Sequence, residues 1–248
     1  MKNTMTRVVF GLAGVKLVAH LATAGHYPLH QDELYYLLCG RHPAWSYPDH
    51  APLVPLLAAA SEHLVGVDPF WLRLWPAMAG AAMVVLAGWI ASRLGGGRVA
   101  QVLAALALTL SPLFLISNSL MQTVFLDQFL WTASVAVWVA ISCGASQRFY
   151  LLLGFLMGLG ILAKLTILAW GFGVLVGLLL TRDRVHLRSP WLWMGTVIAA
   201  VCAAPVVHWQ LQHGWPVLEF ISNNRADEQV TRGVSWQCRP GCRALSYA

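Results

Sequence analysis

The sequence predicts an all-α membrane protein of about seven transmembrane helices, with an outer-face loop that carries interfacial helices. Composition, apolar run length and charge placement each point that way. Of the 248 residues, 58% are hydrophobic and 10% are charged, against about a quarter charged in an ordinary soluble domain. So few charges cannot cover a water-exposed surface, which excludes a soluble enzyme. So apolar a chain is not disordered either. Apolar residues fall in runs suited to helices that cross a bilayer, and basic residues punctuate alternate gaps between them.

The runs are Arg7–Ala24, Phe70–Ser92, Val99–Ser117, Val124–Ser142, Phe149–Ala163, Leu165–Thr181 and Trp191–Trp209. Helix is the expected element, because an open strand leaves backbone groups unpaired in lipid. The runs are also too continuously apolar for the alternation of barrel strands. Leu53–Val65 follows Pro52 and contains Pro55, Glu62 and His63, which suits an interfacial helix better than a span. The first run carries Lys16 and His20 and has no small-residue cleavage site, so no signal peptide is expected.

With the N-terminus inside, Lys2, Arg7, Arg93, Arg98, Arg148, Arg182, Arg184 and Arg188 all fall in cytoplasmic connections, with Asp183 as their one acid. The other nine of the 10 acidic residues fall at or near the opposite face. That is the positive-inside pattern. The net charge of +6 does not form a basic face, so no nucleic-acid partner is expected. Cys143 and Cys202 are expected as small packing residues.

Polar chemistry gathers in the stretch from His26 to Asp68, which holds five of the nine His and the adjacent pair Asp32-Glu33. Neighbouring carboxylates cannot share one helix face, so different jobs are expected of them. Two readings stand: they cap the helix beginning near Leu34, or one of them serves as a general base. Asp127 lies just inside an apolar helix, where a charge costs about 2.5–3.5 kcal/mol on insertion scales, so a functional role is favoured over an interfacial one. Lys164, between two apolar stretches, either snorkels to lipid headgroups or holds a phosphate. Most of the histidines suit hydrogen-bonded or water-facing roles, and none forms a zinc-helix pair. His50, in Asp49-His50-Ala51-Pro52, is the one retained as a candidate. No phosphate loop or nucleophile elbow is present.

Asp32-Glu33-Leu-Tyr-Tyr36, followed by Tyr47-Pro-Asp-His-Ala-Pro-Leu53, resembles the polyprenyl-phosphate-sugar-dependent glycosyltransferases of the protein mannosyltransferase and aminoarabinose transferase type (glycosyltransferase family 39 and relatives). Further matches are Arg73-Leu74, Asp127 with Leu130-Trp131, Gly158 to Lys164, and His208 to Pro216. They run in family order from about residue 5 to residue 230. The resemblance implies a GT-C-like membrane enzyme of the inverting type. Its donor would be a polyprenyl-phosphate-linked sugar, and its acceptor a hydroxyl on a lipid or protein. The resemblance places the catalytic carboxylate at Asp32, the donor-phosphate lysine at Lys164, a second acidic position at Asp127 and the loop histidine at His50. Glu33 and Arg41 are further expected substrate contacts, Arg41 as an alternative cation for the leaving phosphate. Two positions depart from the family pattern: Leu126 precedes Asp127, and Ala51 stands where a Pro is common.

No metal ligand set is expected; a divalent cation beside the carboxylates is compatible with this chemistry but not required by it. The expected location is the bacterial inner (plasma) membrane, with the active loop periplasmic or extracellular. Residues 1–234 are expected to form one transmembrane glycosyltransferase domain. The tail from 235 to 248, with Cys238, Cys242, Arg239 and Arg243, reads as atypical, the expectation being a truncated or frame-shifted end. Two other functions compete: a transporter or flippase of a lipid-linked substrate, and an inactive remnant. A transporter favours polar groups at mid-membrane, whereas here they collect at one face.

Overall fold

The computed structural model describes residues 7–223, which are helical with no strand among them; the expectations for the tail lie outside the described residues. In chain order the helices are α1 (Arg7–Ala24), α2 (Gln31–Arg41), α3 (Leu53–Val65), α4 (Pro69–Arg93), α5 (Arg98–Leu110) and α6 (Pro112–Ser117). They continue with α7 (Thr123–Ser142), α8 (Phe149–Ala163), α9 (Ile167–Leu180), a 3-10 segment (Arg182–Arg188) and α10 (Pro190–Gln212). Four of these, α1, α4, α7 and α10, are long and apolar enough to cross a membrane, while α3, α5, α8 and α9 are shorter apolar helices.

The expected run Val99–Ser117 is not one helix. It breaks at Ser111-Pro112 into α5 and α6. Proline cannot donate to the carbonyl four residues back, and it pushes the residue before it out of the helical region. Ser111 is accordingly extended, with φ −63 and ψ 123.

α4 is the hub of the bundle and packs against α1, α5 and α7; α7 in turn packs on α8, and α8 on α10. The α8–α10 seam depends on missing side chains. A Cβ on Gly154 would strike the backbone of Gly195, and a Cβ on Gly195 would strike the carbonyl of Tyr150. A Cβ on Gly158 would come within 2.6 Å of the Cys202 Cβ. Close backbone approach of this kind is how helices gain contact where lipid gives no hydrophobic drive. Cys202 therefore sits in the seam as a small side chain, whereas Cys143 is exposed at the end of α7. The packing role expected of Cys143 does not hold, because the helix ends before that side chain can be covered.

Hydrogen bonds at the helix ends divide the bundle into two poles. At one, the Cys143 thiol lies 3.4 Å from the Arg93 carbonyl, and Ser189 donates to Gln147 at 2.8 Å. This is the end that carries Arg93, Arg148, Arg182 and Arg188. At the other, the start of α4 meets the end of α1, the start of α7 meets α2, and α7 meets the α8–α9 turn. Asp32, Glu33 and Asp127 all lie at this second pole, which is called the acidic pole below.

Candidate active site

α2 opens with a capping box made in an unusual way. The His30 Nδ1 accepts from the Asp32 backbone N–H at 3.2 Å, and the Glu33 carboxylate accepts from the His30 N–H at 2.9 Å. Capping is thus done by His30 and Glu33. The Asp32 carboxylate is left over. Its side chain is 41% exposed, and its Oδ2 accepts from the Gln122 amide at 2.7 Å. His30 Nδ1 stands 3.7 Å from that oxygen, too far for a hydrogen bond. Sequence left open whether the pair caps or reacts; the structure separates the two carboxylates.

Glu33 is fully buried. Arg73, in the second turn of α4, donates to it in fork geometry at 3.0 and 2.7 Å. The backbone N–H of Met121 adds a further bond at 3.2 Å. With His30, four donors occupy the carboxylate, which is about its full capacity. A substrate contact was expected at Glu33; at this placement it has no exposed surface and no open lone pair to offer. Arg73 also donates to the carbonyls of Ala24, Tyr27 and Pro28 at 2.6, 3.0 and 2.7 Å. The pair thereby pins the α1–α2 connection, α4 and the approach to α7 to one point.

An aromatic wall stands beside Asp32. Tyr35 donates to Asp49 at 2.8 Å. Tyr36 reaches Thr123 at the start of α7. Burial, ahead of every other cause, pushes the hydroxyls of Tyr35, Tyr36 and Tyr47 upward, so all three stay protonated near neutral pH. His50 sits among them, with ring centroids 5.4, 5.0 and 4.6 Å from Tyr35, Tyr36 and Tyr47. Its Nδ1 is 3.0 Å from the Ala51 carbonyl. A carbonyl only accepts, so Nδ1 carries a proton, while Nε2 faces the Asp49 carboxylate at 3.8 Å. That Nε2 is buried without a hydrogen-bond partner. The loop is held from afar: Gln210 near the end of α10 donates to Ser46 at 2.9 Å.

Asp127 lies five residues after Gln122, about 7.5 Å along α7. It accepts from Thr166 at 2.7 Å. Thr166 follows Lys164 by two residues in the turn that joins α8 to α9, and Lys164 is the partly buried C-cap of α8. The Lys164 ammonium makes no ion pair among the described residues. The structure therefore links Asp32, Gln122, Asp127, Thr166 and the Lys164 turn along one end of α7. Arg41 stands apart. It pairs in fork geometry with Glu62 across α2 and α3, at 2.7 to 3.2 Å, on the surface. That contact holds Glu62 below, and Arg41 above, its ordinary range. Among the described residues no three His, Cys, Asp or Glu side chains converge as a metal set.

Residues 49–209 match the model of the family described as dolichyl-phosphate-mannose-protein mannosyltransferase. The chain belongs to that family. No individual curated protein and no solved structure matches the chain. The family match takes in Asp49, His50, Arg73, Asp127 and Lys164, and begins downstream of Asp32, Glu33 and Arg41. Membership makes this a glycosyltransferase-type membrane protein that works with a lipid-linked sugar donor. Sequence reasoning missed three residues of the site: Arg73 as the partner of Glu33, Gln122 as the donor to Asp32, and Gln210 as the tie to the loop. Only Arg73 carried a signal, since an arginine just inside an apolar helix needs a partner.

Proposed function

We propose that the chain is the membrane domain of an inverting glycosyltransferase that uses a polyprenyl-phosphate-linked sugar, with Asp32 as general base. The observation that carries this reading is the division of labour at α2. Glu33 and His30 hold the helix start, leaving the Asp32 carboxylate partly exposed and aimed by Gln122. In the step, the Asp32 carboxylate takes the proton from an acceptor hydroxyl as its oxygen forms a bond to the anomeric carbon. The bond from that carbon to the phosphate oxygen breaks, and its electron pair leaves with the lipid phosphate. Lys164 supplies positive charge to the departing phosphate. His50 backs the aromatic wall of Tyr35, Tyr36 and Tyr47 and so shapes the substrate's approach to Asp32. Asp127 holds the Lys164 turn through Thr166, and Arg41 stabilises the α2–α3 corner.

In the proposed topology the chain crosses the bilayer about seven times, the shorter α5–α6, α8 and α9 included, with the N-terminus cytoplasmic and the acidic pole on the periplasmic or outer face of a bacterial inner membrane. Charge placement supports that orientation. The acceptor is a hydroxyl of a lipid or a protein. The test is transfer from radiolabelled polyprenyl-phosphate mannose and polyprenyl-phosphate aminoarabinose in membranes carrying the chain in its full genomic context. The Asp32→Asn variant is expected to lose transfer by about 10²–10⁴-fold while it still inserts normally. Unchanged turnover in that variant defeats the assignment, and transport without covalent transfer supports a flippase instead.

A further inference from the structure

We propose that Lys16, deep in α1, is a positioning residue for Asp32 and Glu33, acting through the Ser111-Pro112 corner; the catalytic consequence rests on the reading of Asp32 given above. Lys16 is 1% exposed in the middle of a membrane-length helix. A buried ammonium there is costly and persists where it has work to do. Its Nζ donates to the Leu108 carbonyl at 2.9 Å. Leu108 is the residue four before Pro112, so its carbonyl is the one that proline leaves without an N–H. Buried at membrane depth, that group needs another donor. Lys16 is that donor. The same Nζ stands 5.7 Å from the ring of Phe114 in the first turn of α6, so one side chain touches both sides of the corner.

What the corner aims is the approach to the site. α6 ends at Ser117, whose hydroxyl donates to Gln128 of α7 at 2.7 Å. Asn118 is fully buried and seated on Gly80 of α4, where a Cβ would come within 2.7 Å of its Oδ1. Three residues on, Met121 gives its N–H to Glu33, and Gln122 gives its amide to Asp32. Both carboxylates thus take a donor from a segment whose entry direction is set by the break at Pro112. Misplacement of a reacting group by about 1 Å can cost about 10²-fold in rate, so the angle of this corner matters to the chemistry.

The experiment separates holding the fold from aiming the site. Lys16→Met strands the Leu108 carbonyl. Adding Pro112→Ala returns an N–H to that carbonyl and straightens the corner. Each is made in the full chain, alone and combined, with Lys16→Arg as the conservative variant. Thermal midpoints in detergent report folding. Proximity is read in an Asp32→Cys, Gln122→Cys background with a short bis-methanethiosulfonate linker, the linked peptide being quantified by mass spectrometry. Lys16→Met is expected to lower the midpoint. The combined variant should recover the midpoint, yet link the two cysteines at least about tenfold more slowly, and in the otherwise native chain lower kcat more than KM for polyprenyl-phosphate mannose. Lys16→Arg, with Pro112 kept, should link at the native rate. Native linking rates in the combined variant overturn the proposal and leave Lys16 a purely structural residue. Slow linking combined with no sugar transfer even by the native chain upholds the positioning and sinks the glycosyltransferase reading.

Discussion

Glu33 and Arg73 form a closed pair. All five N–H groups of the guanidinium are engaged, two on Glu33 and three on the carbonyls of Ala24, Tyr27 and Pro28, and neither side chain exceeds 3% exposure. Breaking such a pair from one side leaves a buried charge unmatched, which costs about 3–5 kcal/mol. Arg73→Ala and Glu33→Gln are therefore expected to lower the thermal midpoint in detergent by many degrees. Arg73→Lys should not rescue, because a single ammonium cannot reproduce the fork. Arg41→Ala, which opens the solvent-exposed Arg41–Glu62 pair, should move the midpoint by no more than about two degrees. Equal losses in the two cases contradict the architectural role given to Arg73.

Gln122 touches Asp32 and lends it orientation rather than reactivity. Gln122→Ala leaves the Asp32 carboxylate in place but free to turn, and with Asp32 as the proposed base kcat is expected to fall about 10- to 100-fold. Under the proposed mechanism Lys164→Met removes the charge meant for the leaving phosphate and should cost about 10²–10³-fold in kcat. Steady-state transfer assays on membranes with matched protein levels check both. A Gln122→Ala enzyme as fast as the native one removes the orienting role.

The apolar runs and the alternation of basic gaps were legible in the sequence because lipid imposes length and continuity on every crossing helix. α1 and α8 fall on their expected bounds, and α4, α7, α9 and α10 differ only at their ends. Pro112 breaks the run Val99–Ser117, but an apolar stretch on both sides masks its one missing donor. The division between Asp32 and Glu33 was not legible. It is decided by Arg73, 40 residues away, by the Met121 N–H, 88 away, and by a histidine used as an N-cap, which lies outside the ordinary capping residues. Short-range pattern carries no information on such partners.

The α8–α10 seam bears on helix packing rather than on chemistry. Gly154 and Gly195 meet backbone to backbone, so any side chain on either forces the helices apart. Gly154→Leu is expected to destroy the seam, with the protein failing to purify as a single species by size exclusion. Gly173→Leu in α9, where a Cβ meets nothing within 4 Å, should be tolerated. Comparable behaviour of the two variants argues against the seam.

Cysteine chemistry offers a direct reading of sidedness, because two native thiols lie at opposite poles. Cys143 is exposed beside the arginine-bearing pole. Cys39 lies on α2 at the acidic pole, 8% exposed, and burial is the leading cause that pushes its thiol above the ordinary value. Alkylation needs the thiolate, and a raised pKa lowers the thiolate fraction at any given pH. Cys39 should therefore react slowly near neutrality and faster as pH rises. A membrane-impermeant maleimide added to intact cells, with modified peptides identified by mass spectrometry, is expected to spare Cys143. The same reagent on inside-out membranes should modify Cys143 readily at pH 7. If Cys143 is instead labelled from outside intact cells, the acidic pole faces the cytosol, and Asp32 cannot act on an acceptor at the outer face.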